Sequence, residues 1–150
     1  MRIRVAGIIP INNGIALMHR KNVKRNNEYM EYYVIPGGGL DEGETEEEGT
    51  KREIKEEFGI NVEIVEKVYE TYFGKFNQKE IYFLCKYIDG NFGTGNGPEF
   101  NNDPRYIDSG EYIPEILKFE EIDKVNLLPK YMKEEINKNM EKIKKYNKNI

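Results

Sequence analysis

Residues 37–60 read GGGLDEGETEEEGTKREIKEEFGI, and the change of character inside this stretch decides how the chain is built. Upstream, Tyr32-Tyr33-Val34-Ile35 is a short β-type run stopped by Pro36 and three glycines. Thr45 with Glu48 three residues on makes a capping-box pattern, which starts a helix near Thr45. The helix runs to about Phe58, where Gly59 supplies the usual stop. Glu53, Glu56 and Glu57 stand at i, i+3 and i+4, so their carboxylates share one helix face and repel one another. A solvated face is the ordinary fate of such a stretch, and Glu46-Glu47-Glu48 reads that way. Clustered carboxylate oxygens are also what Mg²⁺ prefers, completed by waters and substrate phosphates. Gly37-Gly38-Gly39 permits close approach of backbone to a ligand, and a carbonyl there can join the carboxylates. Arg52 projects from a neighbouring face and is suited to hold another carboxylate, with Glu44 the natural partner.

Working outward, residues 2–12 and 14–20 are apolar, β-branched runs divided by the hairpin signal Asn12-Asn13-Gly14. Polar residues 21–31 read as an exposed loop. Beyond the helix, residues 62–72 and 79–88 are strands. Residues 89–112 form a long Gly-, Asn- and Pro-rich segment of the kind that is often functional. Residues 113–119 suit a last strand, and Met132, Ile136, Met140 and Ile143 have helical spacing after Pro129. The order β-β-β-α-β-β-β-α implies an α/β fold, a sandwich with a mixed sheet between helices, in one domain spanning residues 1–150.

Composition narrows the partners. With 23 basic and 27 acidic residues the formal charge is −4, which argues against a nucleic-acid duplex but not against an anionic small molecule carried by a metal ion. Cys85, the only cysteine, lies in an apolar run and reads as a buried structural thiol. The N-terminus has no signal-peptide core, and no apolar run approaches bilayer length, so the chain is expected to be cytoplasmic with no membrane partner.

The full spacing is more informative than the acidity. The pattern Gly-x5-Glu-x7-Arg-Glu-U-x-Glu-Glu-x-Gly-U, with U aliphatic, is matched by Gly38, Glu44, Arg52, Glu53, Ile54, Glu56, Glu57, Gly59 and Ile60. This is the Nudix box, and the chain resembles the Nudix hydrolases over it; the order of elements fits the Nudix α/β/α sandwich with its catalytic loop-helix-loop. The resemblance implies hydrolysis of a phosphoanhydride bond in a nucleoside diphosphate linked to another group. It implies Mg²⁺ as cofactor, with Mn²⁺ as a substitute, held by Glu53, Glu57 and the Gly37 carbonyl. Glu56 would be a further ligand or the general base, and Arg52 would pair with Glu44 to buttress the helix. The family also draws its base from a later loop, where Glu99 is favoured here over Glu111 because Gly93-Thr94-Gly95-Asn96-Gly97 gives its backbone room. That glycine run is open to two readings, a phosphate cradle or a surface loop. Gly49-Thr50 departs from the alanines usual at these helix positions but keeps the small size.

The box does not encode the substrate. Residues 75–78 lack the proline or tyrosine that some subfamilies carry there. Tyr72, Phe73, Phe76 and Phe100 are candidates for base stacking, and His19 reads as a strand residue rather than a catalyst. Two alternatives stay open: a silent nucleotide-binding module, which would normally have lost box carboxylates, and an RNA 5′-end pyrophosphohydrolase, kept open by the lysines of residues 130–148. A homodimer is compatible with the sequence, which does not fix the oligomeric state.

Overall fold

In the computed structural model, which describes residues 1–100 and 110–150, Asn12 and Asn13 take left-handed φ angles of 50° and 60°. That is the geometry of a two-residue hairpin turn. It joins β2 (Pro10–Ile11) to β3 (Gly14–Arg25), while β1 (Arg2–Ile8) belongs to the other sheet. The expected strand over residues 2–12 is therefore two strands, divided at Ile9, and Pro10 has no N–H to offer a ladder.

Residues 21–31 are not a loop. β3 continues to Arg25 and β4 (Glu28–Val34) returns, paired Arg25 to Glu28 across Asn26 and Asn27, whose φ values are 50° and 65°. The stretch looked like a loop because its end is exposed and polar. It is held by the strand ladder and a second Asn-Asn turn, with Val23 its one buried side chain.

The remaining elements are β5 (Gly37–Gly39), α1 (Glu46–Phe58), β6 (Ile60–Phe73), β7 (Gln78–Gly90), β8 (Glu111–Lys118), β9 (Leu127–Leu128), α2 (Tyr131–Lys138) and α3 (Met140–Lys145). One sheet has the order β5-β1-β7-β6, with β1 and β7 parallel. The other runs β2-β3-β4-β9, with β8 also on β3 and β4 parallel to β9. The expected mixed sheet is thus two mixed sheets. The part of the expected 89–112 loop at 101–109 lies outside the described residues.

Alternation along the central strands explains the layering. Ala6, Ile8, Leu17, Tyr82 and Leu84 point to a core shared with Met132, Ile136 and Ile143 of α2 and α3. Val5, Met18, Ile81, Phe83 and Cys85 point the other way, against Ile54 and Phe58 of α1. Both faces are covered, which gives the expected α/β/α arrangement. The helical pattern after Pro129 is broken at Asn139 into α2 and α3.

α1 has a complete capping box: Thr45 Oγ1 accepts the Glu48 N–H at 3.1 Å, and Glu48 Oε2 accepts the Thr45 N–H at 3.3 Å. Thr45→Ala removes one half of this exchange and should lower stability by about 1 kcal/mol, read as a smaller urea midpoint at unchanged slope.

Candidate active site

α1 is pinned by its inner face. Ile54 and Phe58 are fully buried, and a Cβ at Gly7 would strike the Ile54 side chain, so the helix lies hard against β1. With those residues inward, Glu53, Glu56 and Glu57 face a cleft of about 370 Å³ that is also lined by Gly37, Gly38, Gly39 and Glu99, and by Arg2, Arg4, Arg20 and Tyr112.

Arg52 organises the helix face. Its Nε and Nη2 donate to the two oxygens of Glu44 at 2.7 and 3.0 Å, a bidentate pair, and Nη2 also reaches the Gly39 carbonyl at 3.1 Å. Nη1 donates to Glu53 Oε1 at 2.9 Å and to Glu56 Oε2 at 3.4 Å. Hydrogen bonding to Glu44 is the largest influence raising the guanidinium above its ordinary value, and in return it draws the Glu44 carboxyl below the usual range. Small residues make this possible. A Cβ at Gly38 would collide with the Glu53 carboxylate at 2.6 Å, and one at Gly49 would strike Leu40 and come within 2.9 Å of Glu44. The substitution of Gly for the usual alanine at position 49 thus leaves room for the Glu44 side chain.

Glu57 is surrounded by protein except toward the cleft. Burial, then repulsion by Glu53, pushes its carboxyl well above the usual range, and its hydrogen bond from the Gly37 N–H, at 3.2 Å, offsets this only in part. Glu53 is raised by burial and partly relieved by Arg52. Glu99 is raised by burial as well, and its Oε1 is a buried oxygen without a hydrogen-bond partner among the described residues. Such a donor set, hard oxygens whose charge is poorly compensated, fits a divalent cation. Among the described residues no three His, Cys, Asp or Glu side chains already converge as a metal cage. Waters and substrate oxygens would have to complete the shell, which is the habit of Mg²⁺.

The glycine-rich segment has a different task from cradling phosphate. The N–H groups of Gly93 and Thr94 donate to the Phe58 carbonyl at 2.9 and 3.3 Å, and that of Gly97 to the Glu56 carbonyl at 2.9 Å. They satisfy the otherwise orphaned carbonyls at the end of α1. A Cβ at Gly95 would run into the Glu56 and Glu57 carbonyls, so the segment can lie this close only as glycine. The packing delivers Glu99 to the cleft.

The other candidates fall elsewhere. Glu111 is exposed at the start of β8, accepts from Asn22 and does not line the cleft. His19 lies in β3, stacked on Tyr33 with ring centroids 4.1 Å apart, and its nitrogens face Glu31 at 2.6 Å and Glu115 at 2.7 Å. Cys85 is buried, and burial pushes its thiol up. Phe73 packs on Tyr131 and Phe100 on Tyr112, while Tyr72 and Phe76 are exposed. None of these four aromatics lines the cleft. No described helix is long and apolar enough to cross a membrane.

Sequence reasoning missed Arg2, Arg4, Arg20 and Tyr112. Arg20 sits over the Tyr112 ring at 3.7 Å from its centroid, and its Nε donates to the Glu111 carbonyl at 3.1 Å. A signal for Arg4 was present: it shares a strand face with Ala6 and Ile8, both buried, and charge at the head of a core-facing row marks an opening. A second cavity, of about 730 Å³, shares Arg4, Arg20, Val34 and Ile35 with the cleft and adds Arg25, Met30, Tyr32, Gln78, Glu80, Leu128 and Pro129. Glu80 there accepts from the Tyr131 hydroxyl at 2.6 Å, the Tyr82 hydroxyl at 3.1 Å and Gln78 Nε2 at 2.7 Å.

Comparison with known proteins agrees with this geometry. The family model described as NUDIX domain matches residues 1–138. An 8-oxo-dGTP diphosphatase of Haemophilus influenzae is 30% identical over 112 residues, 73% of this chain and 81% of that protein. An ADP-ribose pyrophosphatase of Methanocaldococcus jannaschii is 45% identical over 58 residues, 39% of this chain and 32% of that protein. Among solved structures, a NUDIX hydrolase from Nitrosomonas europaea superposes with a TM-score of 0.69 at 18% identity, covering 99% of this chain and 79% of that one.

The raised carboxyl of Glu57 has a measurable consequence. A group whose folded pKa lies above its unfolded value contributes stability that is present below the ordinary carboxylate range, near 4, and is lost as pH rises through the folded value. In EDTA, the wild-type Tm should therefore fall relative to that of Glu57→Gln as pH climbs from about 4 toward neutrality. Added Mg²⁺ should raise the wild-type Tm more at high pH than at low pH, with little effect on the variant.

Proposed function

The chain belongs to the NUDIX family, and on that premise we propose that it hydrolyses a phosphoanhydride bond in a nucleoside diphosphate linked to another group. The observation that carries the reading is the mixed lining of one cleft: Glu53, Glu56, Glu57 and Glu99 together with Arg2, Arg4 and Arg20. Carboxylates alone would repel a diphosphate, and guanidiniums alone would bind it without activating water. Side by side, they suit an anionic substrate that arrives with a divalent cation.

Glu53, Glu56, Glu57 and the Gly37 carbonyl would hold Mg²⁺, with Mn²⁺ as a substitute. The bound ion supplies charge neutralisation on the diphosphate and lowers the pKa of attacking water. Glu99 is the general base in this scheme: burial raises its carboxyl above the usual range, which strengthens it as a proton acceptor, and its buried Oε1 has no hydrogen-bond partner among the described residues. Arg52 spends its donors on Glu44, Gly39, Glu53 and Glu56, so its task is to fix the helix carboxylates rather than to touch substrate. The second cavity takes the organic group, with Tyr32, Met30, Leu128 and Pro129 as apolar wall and Gln78, Glu80 and Arg25 as polar rim. An oxidised purine nucleoside triphosphate and ADP-ribose, the classes named for two relatives, are the first substrates to try.

A panel of nucleoside triphosphates, 8-oxo-dGTP, ADP-ribose, nucleotide sugars and dinucleoside polyphosphates should give turnover with Mg²⁺ that EDTA abolishes. Activity surviving EDTA overturns the scheme. Glu99→Gln should lower kcat by roughly 10²- to 10⁴-fold with little change in KM, whereas equal effects on both would move the base to Glu56.

A further inference from the structure

Arg4 stands in β1 between Gly39 of β5 and Glu80 of β7, its register partners on either side. The strand alternation places it on the face of Ala6 and Ile8, both in the core, so its side chain enters the interior at the end of an apolar row. There it lines both the acidic cleft and the second cavity. Val34 and Ile35, also common to both, form the apolar part of the junction.

Its bonding is unlike that of the other arginines in the region. Arg52 is saturated by carboxylates and a carbonyl, and Arg20 lies over Tyr112 with its Nε on the Glu111 carbonyl. Arg2 is exposed at the chain end. Arg4 is half-buried, and among the described residues no hydrogen bond or ion pair engages its guanidinium. Its charge is nonetheless felt by Glu53 and Glu57 on one side and by Tyr82 on the other. A guanidinium carries five N–H donors in a rigid fork that matches two oxygens of a phosphate, and holding it half-buried without a partner has a desolvation cost. A structural role would show as a bond to a neighbouring carboxylate. The nearby carboxylate at Glu80 instead takes its donors from Tyr82, Tyr131 and Gln78.

We propose that Arg4 is a substrate-binding residue whose guanidinium grips the non-bridging oxygens of the diphosphate at the junction of the two cavities. The inference rests on reading the cleft as a diphosphate site and adds a direction to it. The phosphates bridge the junction, the bond to be cut lies toward Glu53 and Glu57, and the organic group continues into the second cavity. Arg4 would then contribute equally to substrates that differ only in that organic group.

Calorimetric titration of imidodiphosphate in the presence of Mg²⁺ tests this without needing the natural substrate. Arg4→Gln should weaken binding by roughly 10- to 100-fold, and Arg4→Lys, which keeps the charge but not the fork, should fall between. Lys75→Gln, which removes a positive charge at the β6–β7 hairpin tip, should bind as the wild type does. On any substrate that is turned over, Arg4→Gln should raise KM by a similar factor whatever the organic group. Affinity in Arg4→Gln within about threefold of wild type overturns the proposal, as does a wild type that does not bind imidodiphosphate with Mg²⁺. Binding that depends on Arg4 in a protein that hydrolyses nothing would keep this proposal and remove the hydrolytic reading. Hydrolysis with unaltered KM in Arg4→Gln would do the reverse.

Discussion

Like charge crowded on one face of one short helix is the constraint around which the region of α1 is arranged. Glu53, Glu56 and Glu57 repel one another, and the C-terminal end of a helix adds partial negative charge of its own. Arg52 answers most directly, because a single planar guanidinium reaches Glu53, Glu56 and Glu44 while tying the helix to the Gly39 carbonyl of β5. The glycines follow from the same need. Gly38 leaves space for the Glu53 carboxylate, and Gly49 for Leu40 and Glu44. Chemistry and backbone composition are here one problem: the charges fix where side chains cannot be.

The end of the helix is treated in the same spirit. Its last carbonyls receive N–H groups from Gly93, Thr94 and Gly97, so a segment that looks like loose connection is hydrogen-bonded to α1. The sheets complete the frame. β1 presents Arg4 to one side and Val5 to the other, so the strand that anchors α1 through Val5 also carries a charge into the cavities.

Local features were legible in the sequence. Thr45 and Glu48 announce the capping box, Gly59 takes φ 75° where a left-handed stop was expected, and the Asn12-Asn13 turn forms as its residue types require. The box spacing likewise pointed to the pairing of Arg52 with Glu44, since both lie within one loop-helix unit. What was not legible depends on partners distant in the chain. Residues 21–31 carry no apolar alternation because their strand extension is largely exposed, with only Val23 buried, and the Asn26-Asn27 turn was masked by surrounding polarity. Arg4, Arg20 and the second cavity come together only when β1, β3, β4 and β7 are assembled, and periodicity along one strand does not reveal which charges will meet. The Gly93–Gly97 run was ambiguous for the same reason: the acceptors of its N–H groups lie more than thirty residues upstream, on another element.

The hydrogen bond from the Gly97 N–H to the Glu56 carbonyl has a kinetic side as well. It moors the chain two residues before Glu99, and a two-residue tether spans at most about 7 Å. Glu99, in the turn Pro98–Phe100 closed by the Phe100 N–H on the Gly97 carbonyl at 3.0 Å, is therefore confined to a small sphere fixed to the very helix that bears Glu53, Glu56 and Glu57. Its encounter with anything held by those carboxylates is intramolecular, at an effective concentration set by leash length rather than by diffusion.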